Sequence, residues 1–152
     1  MSHVTAQAVA SLRSRTGVSI LECKKALEEA AGNEEKAIEI LRKKGISQAA
    51  KKADRQQKEG YIFASEGGGK ATLIILNCET DFVARDGTFR TVGQEIADTL
   101  LKKGMDDAKA LSEKKIPELV QKLGENISVG EMMVTVLVSV WLVLPKVSFT
   151  VT

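Results

Sequence analysis

The spacing of hydrophobic positions changes from strand-like to helix-like at about residue 77. Residues 71–76 (ATLIIL) are short, apolar and rich in β-branched side chains, which is typical of a buried strand. Residues 77–87 are polar and predict a surface connection, because their backbone groups lack a ladder partner. The apolar residues that follow recur at helical spacing: Phe89, Val92, Ile96 and Leu100.

The first 45 residues predict three short helices separated by glycines. Side chains that favour helix starts stand before each helix, and glycines stand after each. The expected starts are Thr5, Ser19 and Asn33, and the expected stops are Gly17, Gly32 and Gly45. The second helix is expected to bury one face, which carries Ile20, Cys23, Leu27 and Ala30. A bundle of this size has little core and is expected to dock on another surface.

Residues 46–59 are polar and basic, and two interpretations are open. They predict either a nucleic-acid helix or a solvated helical linker. Acidic residues dilute the charge and no aromatic residues are interleaved, which favours the basic linker. Gly60 then marks the boundary of the next domain.

An antiparallel hairpin is predicted from residues 61–65 and 71–76, around a glycine-rich turn. This turn lacks the Gly-Lys-Ser/Thr ending of a phosphate loop. Thr88 is expected to cap the next helix, which ends at Gly104. A further helix is expected over about residues 112–123, with Pro117 limiting its start. The pattern as a whole predicts an α+β fold, a small antiparallel sheet packed with helices.

The tail from Met132 to Thr152 has Lys146 as its only charged residue. Its apolar run ends at Leu144 and is shorter than the ~20 residues that a membrane helix needs. Alternating valines favour one or two strands broken at Pro145. Such strands need a cover, so we expect a homodimer or larger species through this tail.

Composition excludes several classes of function. Hydrophobic residues make up 43% and charged residues 28%, as in soluble globular proteins, and the net charge of +2 is too small to favour nucleic acid or membranes as partners. One histidine and two distant cysteines give no metal-ligand spacing, and no cofactor fingerprint is present. The N-terminus shows neither a secretory segment nor a transit peptide, which favours the cytoplasm over an organellar matrix.

Cys23 and Phe82 each have two interpretations. Cys23 lies beside Lys24 and Lys25, so it is either a reactive thiol of low pKa or, as its position on an apolar face favours, a core residue. Phe82 stands between Asp81 and Arg85 in the connection. It either folds back onto the core, as most loop aromatics do and as the residues alone favour, or projects as an anchor for a partner.

Four stretches together resemble elongation factor Ts, the nucleotide-exchange factor of elongation factor Tu. They are residues 12–17 (LRSRTG), 22–27 (ECKKAL), 77–85 (NCETDFVAR) and 124–127 (GENI). The resemblance runs over about residues 1–127. Beyond it the chain departs from the family, which usually has arginines soon after the last of these stretches and continues into a second core half.

This resemblance implies a division of the chain and a set of contact residues. Residues 1–45 would form a bundle like the ubiquitin-associated fold, 46–59 a linker, and 60–152 a truncated core domain. Thr80, Asp81, Phe82 and Val83 would disturb the magnesium and phosphate site of the GTPase. In the bundle, Thr16, Gly17 and Val18 would contact the same partner; we expect Val18 to be exposed and Ile20 to be core.

Three functions are therefore compared. The first is guanine-nucleotide exchange on elongation factor Tu in translation, with binding to its GDP-bound and nucleotide-free forms. The second is a partner-binding module without exchange activity. The third is an enzyme, for which one histidine and the lack of a nucleophile motif leave little basis.

Overall fold

The computed structural model describes residues 4–136, in which six helices and three strands follow one another. The helices are α1 (Ala6–Thr16), α2 (Ile20–Glu29), α3 (Glu34–Lys52), α4 (Asp81–Ala84), α5 (Gly87–Lys103) and α6 (Met105–Leu123). The strands are β1 (Glu59–Gly67), β2 (Lys70–Cys78) and β3 (Ser128–Val136). This arrangement confirms the predicted α+β fold.

The sheet has the order β1-β2-β3, and both pairs of neighbours are antiparallel. Gly68 and Gly69 join β1 to β2, and their φ angles of 59° and 73° require residues that tolerate the left-handed region. Two such residues are typical of the tight turn whose twist matches the strands that it joins. The predicted hairpin is confirmed, with longer strands than the sequence suggested.

The three N-terminal helices enclose a core of their own. Thr5, Ser19 and Asn33 each accept a hydrogen bond from a backbone N–H in the first turn of the helix that follows, as predicted. Gly17 ends α1 in the left-handed conformation, with φ of 69°. The largest fully buried side chains in this cluster are Leu12, Cys23 and Leu27.

The predicted stop at Gly45 is wrong, because α3 continues through it to Lys52. Gly45 is buried, and a Cβ there would lie 3.0 Å from the carbonyl oxygen of Pro117 in α6. Glycine is thus placed for a close helix crossing, which overrides its weak helix propensity. The helix expected over 46–59 ends seven residues early, and Gly60 lies inside β1. The division into domains stays a prediction.

Two helix starts in the second half also differ from expectation. Asp86, rather than Thr88, caps α5: its Oδ1 accepts from the N–H groups of Thr88 at 2.7 Å and Phe89 at 3.1 Å. The helix α6 begins at Met105 and includes Pro117, which the sequence placed near its start. Burial of Leu119 and the rest of its inner face outweighs the hydrogen bond that the proline cannot donate.

The larger core lies between the sheet and the helices α5 and α6. Its fully buried side chains include Ile74, Leu76 and Phe89. The ring of Phe63 occupies the place where Gly93 would carry a Cβ, so β1 and α5 approach closely. This packing supports the C-terminal end of β2, where the polar connection begins.

The predicted tail is described only in part. The strand expected near Ile127 begins at Ser128 and reaches Val136. The expected break at Pro145 and the rest of the tail lie outside the described residues. Within residues 4–136, no helix has both the length and the apolar composition to cross a membrane.

Candidate partner-binding surfaces

Phe82 projects from the surface directly after β2. It lies in α4, a single helical turn that Thr80 caps, and its side chain is 82% exposed. The next two residues, Val83 and Ala84, are buried and fix the turn to the core. The interpretation in which Phe82 folds back onto the core is therefore wrong.

Asp81 lies beside Phe82 and is half-exposed. Its Oδ2 lies 3.2 Å from a guanidinium nitrogen of Arg85, one helical turn along the chain. An exposed pair of this kind contributes little to stability. The carboxylate of Asp81 is therefore accessible to a partner that offers N–H groups or a positive charge.

The backbone before this turn is held by Glu125, which follows α6. One carboxylate oxygen of Glu125 accepts from the N–H groups of Glu79 and Thr80, each at 3.0 Å. The other accepts from the hydroxyl of Thr80 at 2.6 Å. Three hydrogen bonds to one ionised group are stronger than three between neutral groups, so this contact fixes residues 79 and 80 firmly.

A second contact runs in the opposite direction, from the backbone after α6 to the side chain of Glu79. The backbone N–H of Asn126 donates to Glu79 Oε1 at 2.6 Å, and Arg55 lies 3.5 Å from the same oxygen. The side-chain amide of Asn126 donates to the carbonyl oxygens of Ala53 and Arg55, just beyond α3. We call the contacts among Glu79, Thr80, Glu125 and Asn126 the polar junction.

Sequence reasoning missed the polar junction. Residues 124–127 carried the family resemblance but predicted only the start of a strand. The residues they contact lie more than 40 positions away, at a separation that no local pattern reveals. A polar Glu-Asn pair directly before the apolar Ile127 was the available signal, since buried polar groups require partners.

The buried side chain of Cys78 also holds the backbone at Thr80, from the side of the core. Its thiol donates to the carbonyl oxygen of Thr80 at 3.2 Å. Burial, and next the nearby charge of Glu125, raise the pKa of this thiol to about 11. Cys78 is therefore a structural residue rather than a nucleophile, since the thiolate is the reactive form.

Cys23 is also buried, and its thiol donates to the carbonyl oxygen of Val18 at 3.6 Å. Its interpretation as a core residue is confirmed. Within residues 4–136 no cluster of histidine, cysteine and acidic side chains has the geometry to hold a metal ion.

The apolar residues that the bundle exposes to solvent are not the ones that were expected. Val18 is only 5% exposed, because the left-handed turn at Gly17 directs its side chain inward. Ile20 is 58% exposed and Leu21 60%, at the start of α2. The expectations that Val18 is exposed and that Ile20 is core are therefore wrong. Thr16 is half-buried and its hydroxyl donates to the carbonyl oxygen of Leu12 at 2.8 Å.

Ile20 also lines an open groove between α1 and α2, with a volume of about 840 Å³. Val9 forms part of its apolar lining, and Arg13 and Lys24 bring positive charge to it. This surface suits an apolar segment that carries acidic residues.

Comparison with known proteins shows which family the sequence resembles. Residues 79–140 match the family model described as elongation factor TS. Over 143 residues the chain is 46% identical to elongation factor Ts of Aeromonas salmonicida (strain A449), an alignment that covers 88% of this chain. The chain is homologous to elongation factor Ts. It is also 47% identical over 132 residues to elongation factor Ts of Pasteurella multocida (strain Pm70), covering 85% of this chain.

These matches confirm the resemblance to elongation factor Ts that the four sequence stretches predicted. The alignments cover 49% and 47% of the two relatives, so the chain spans about half the length of the curated relatives it matches. The segment that matches the elongation factor TS family begins at Glu79. It contains Phe82 as well as both partners, Glu125 and Asn126, that hold the preceding backbone.

Proposed function

We propose that this chain is a guanine-nucleotide exchange factor that releases GDP from elongation factor Tu during translation elongation. The observation that carries the proposal is the exposure of Phe82 on a braced turn, within a segment similar to elongation factor Ts. An aromatic ring that is 82% exposed adds almost nothing to folding. Its apolar surface is therefore available to a partner.

The proposed mechanism is insertion of the Asp81–Phe82 turn between helices of the GTPase. An exchange factor must bind the nucleotide-free GTPase more tightly than the GDP-bound form, as linkage requires. Nucleotide is held largely through its phosphates and a magnesium ion, so displacing the elements around that ion weakens it. Phe82 supplies a rigid apolar wedge, and Asp81 a carboxylate for a helix N-terminus or a backbone amide.

Thr80 and Val83 serve this mechanism without lying at the tip. Thr80 caps the turn with its hydroxyl, and Val83 is buried beneath it. Both side chains therefore orient Phe82 rather than form the main contact. This assigns the four predicted residues two separate roles.

The bundle is proposed to add affinity. Ile20 and Leu21 form an exposed apolar pair beside the Thr16–Gly17 turn, and residues of this kind make effective contacts when a partner covers them. Val18 supports the surface from within. The bundle of residues 1–45 thus contributes binding, and the Phe82 turn contributes the change in nucleotide affinity. The proposed partner is compatible with the expected cytoplasmic location.

A partner-binding module without exchange activity is the alternative. Two separate exposed apolar surfaces are compatible with simple binding, and the chain spans only about half the length of its relatives. The two functions differ in one measurable quantity. An exchange factor accelerates GDP release, whereas a binding module forms a complex and leaves the rate unchanged.

The decisive experiment is the rate of labelled GDP release from elongation factor Tu, with and without this chain. Phe82→Ala is expected to slow stimulated release roughly 30-fold, because burying one phenyl ring is worth about 2 kcal/mol. Asp81→Ala is expected to slow it as well. Ile62→Ala is the matched control, since Ile62 is 61% exposed on β1 and, next to the buried Phe63, lies on the face of the strand opposite the core. Full stimulation by Phe82→Ala would refute the mechanism.

A further inference from the structure

The turn that carries Phe82 is too short to hold its own orientation. A helix of four residues forms one turn only, and isolated helices of that length are not stable in water. The exposed ring of Phe82 adds little packing that would fix it. The orientation of the ring must therefore come from the backbone on either side.

On one side the backbone is anchored by burial, and on the other by Glu125. Val83 and Ala84 pack into the core after the ring. Before it, Glu125 holds the N–H groups of Glu79 and Thr80 and the hydroxyl of Thr80. The same hydroxyl oxygen accepts from the N–H of Val83 at 3.5 Å, so Glu125 fixes the residue that caps the turn.

We propose that Glu125 is a positioning residue, which holds the Phe82 turn in the orientation that engages the partner. The inference rests on the proposed function and deepens it, since Glu125 acts through Phe82 and not by its own contact. Asn126 extends the effect, because its amide donates to the carbonyl oxygens of Ala53 and Arg55 beyond α3. The polar junction thus also sets the distance between the turn and the helix that leads from the bundle.

The expected effect follows from the population of the competent orientation. When a binding element is oriented correctly for only a fraction of the time, its apparent affinity falls by that fraction. A turn without Glu125 that is oriented for a tenth of the time would slow stimulated exchange about tenfold. A turn without Phe82 keeps only the contact of Asp81 to orient, so loss of Glu125 should then have a much smaller effect.

The first test is made on the protein alone, by hydrogen exchange of individual amides. Glu125→Ala should speed exchange at the N–H groups of Glu79 and Thr80 about tenfold or more, because their acceptor is gone. The N–H of Ile74, in the central strand β2, should be unchanged and reports that the fold is intact. Unchanged protection at Glu79 and Thr80 would overturn the inference whether or not the chain has exchange activity.

The second test is a double-mutant cycle on stimulated GDP release. Glu125→Ala should slow release about tenfold in the parent, but by much less than tenfold when Phe82→Ala is already present, because only the contact of Asp81 is then left to orient. If the effects of the two substitutions on the rate instead multiply in full, Glu125 acts independently of the ring and the inference is overturned. Glu113→Ala, an exposed glutamate on α6, is the control. If the chain binds elongation factor Tu without accelerating release, the same cycle is measured on affinity.

Glu125→Gln is the conservative rescue. Its amide oxygen accepts from both N–H groups, and its NH₂ donates to the hydroxyl oxygen of Thr80, so the three contacts survive without the charge. This variant should restore most of the activity that Glu125→Ala loses. A Glu125→Gln variant that is as slow as Glu125→Ala, although it restores the protection of the Glu79 and Thr80 amides, would assign the effect to charge rather than to positioning and would overturn the inference. Thr80→Val, which removes the hydroxyl contact with Glu125 and the cap on the N–H of Val83, should give an intermediate rate and intermediate protection. Full parental rate and protection would count against the junction.

Discussion

Replacing Ile20 with alanine separates binding from folding in the bundle. The side chain is 58% exposed, and full burial of an isoleucine is worth about 2 kcal/mol. A partner that covers the exposed part would therefore gain about 1.2 kcal/mol, which corresponds to about eightfold in affinity. The free energy of unfolding should change by less than about 0.5 kcal/mol, as for most surface substitutions.

The assay is the concentration of this chain that gives half-maximal GDP release from elongation factor Tu. Ile20→Ala should raise that concentration about eightfold and leave the maximal rate unchanged, because the Phe82 turn is intact. Val18→Ala is the contrasting variant: its side chain is buried, so it should lower the free energy of unfolding by about 2 kcal/mol. An Ile20→Ala variant with the parental half-maximal concentration would refute a role for this surface in binding.

Two further predictions concern stability. Gly93→Ala should lower the free energy of unfolding in urea by about 1–3 kcal/mol, because its Cβ would overlap the ring of Phe63. Gly87→Ala should not, because a Cβ there would meet no atom within 4 Å beyond its chain neighbours and its own helix backbone. The thiol of Cys78 has a pKa of about 11 when folded, against 9.0 ordinarily, so its contribution is complete below pH 9 and is lost as the pH rises through about 11. Stability should therefore fall more steeply over that range in the parent than in Cys78→Ala, and equal slopes would contradict the raised pKa.

The sequence correctly predicted helix starts and the hairpin turn, which depend on residues close together in the chain. Thr5, Ser19 and Asn33 cap their helices because a side-chain oxygen reaches an N–H two or three residues on. The Gly68–Gly69 hairpin likewise depends on two adjacent residues. Phe82 was singled out as an anchor because its stretch resembles elongation factor Ts, since a single aromatic residue in a connection is by itself a weak signal.

Expectations failed where packing or the direction of the chain, rather than local spacing, decides the outcome. Gly45 resembles a helix stop, yet it lies in a crossing with α6 that no local pattern reveals. Pro117 remains inside a helix because packing stabilises both sides of it. Val18 is buried and Ile20 is exposed, the reverse of the expectation, because the turn at Gly17 sets which of the two faces inward. The spacing of apolar residues along α2 does not reveal the direction of that turn.

Loss of Phe82 and loss of Glu125 should both slow exchange, but they should differ in their effect on the free energy of unfolding. Phe82 is exposed, so its loss removes a contact with the partner and leaves the unfolding free energy almost unchanged. Glu125 holds two backbone N–H groups and one hydroxyl, so its loss leaves donors without a protein acceptor and costs stability as well as orientation. Gly93 should affect stability alone, because it is buried in the core against the ring of Phe63. A set of variants that shows these three distinct combinations of melting and exchange would therefore locate the exchange function at the turn, and not in the fold as a whole.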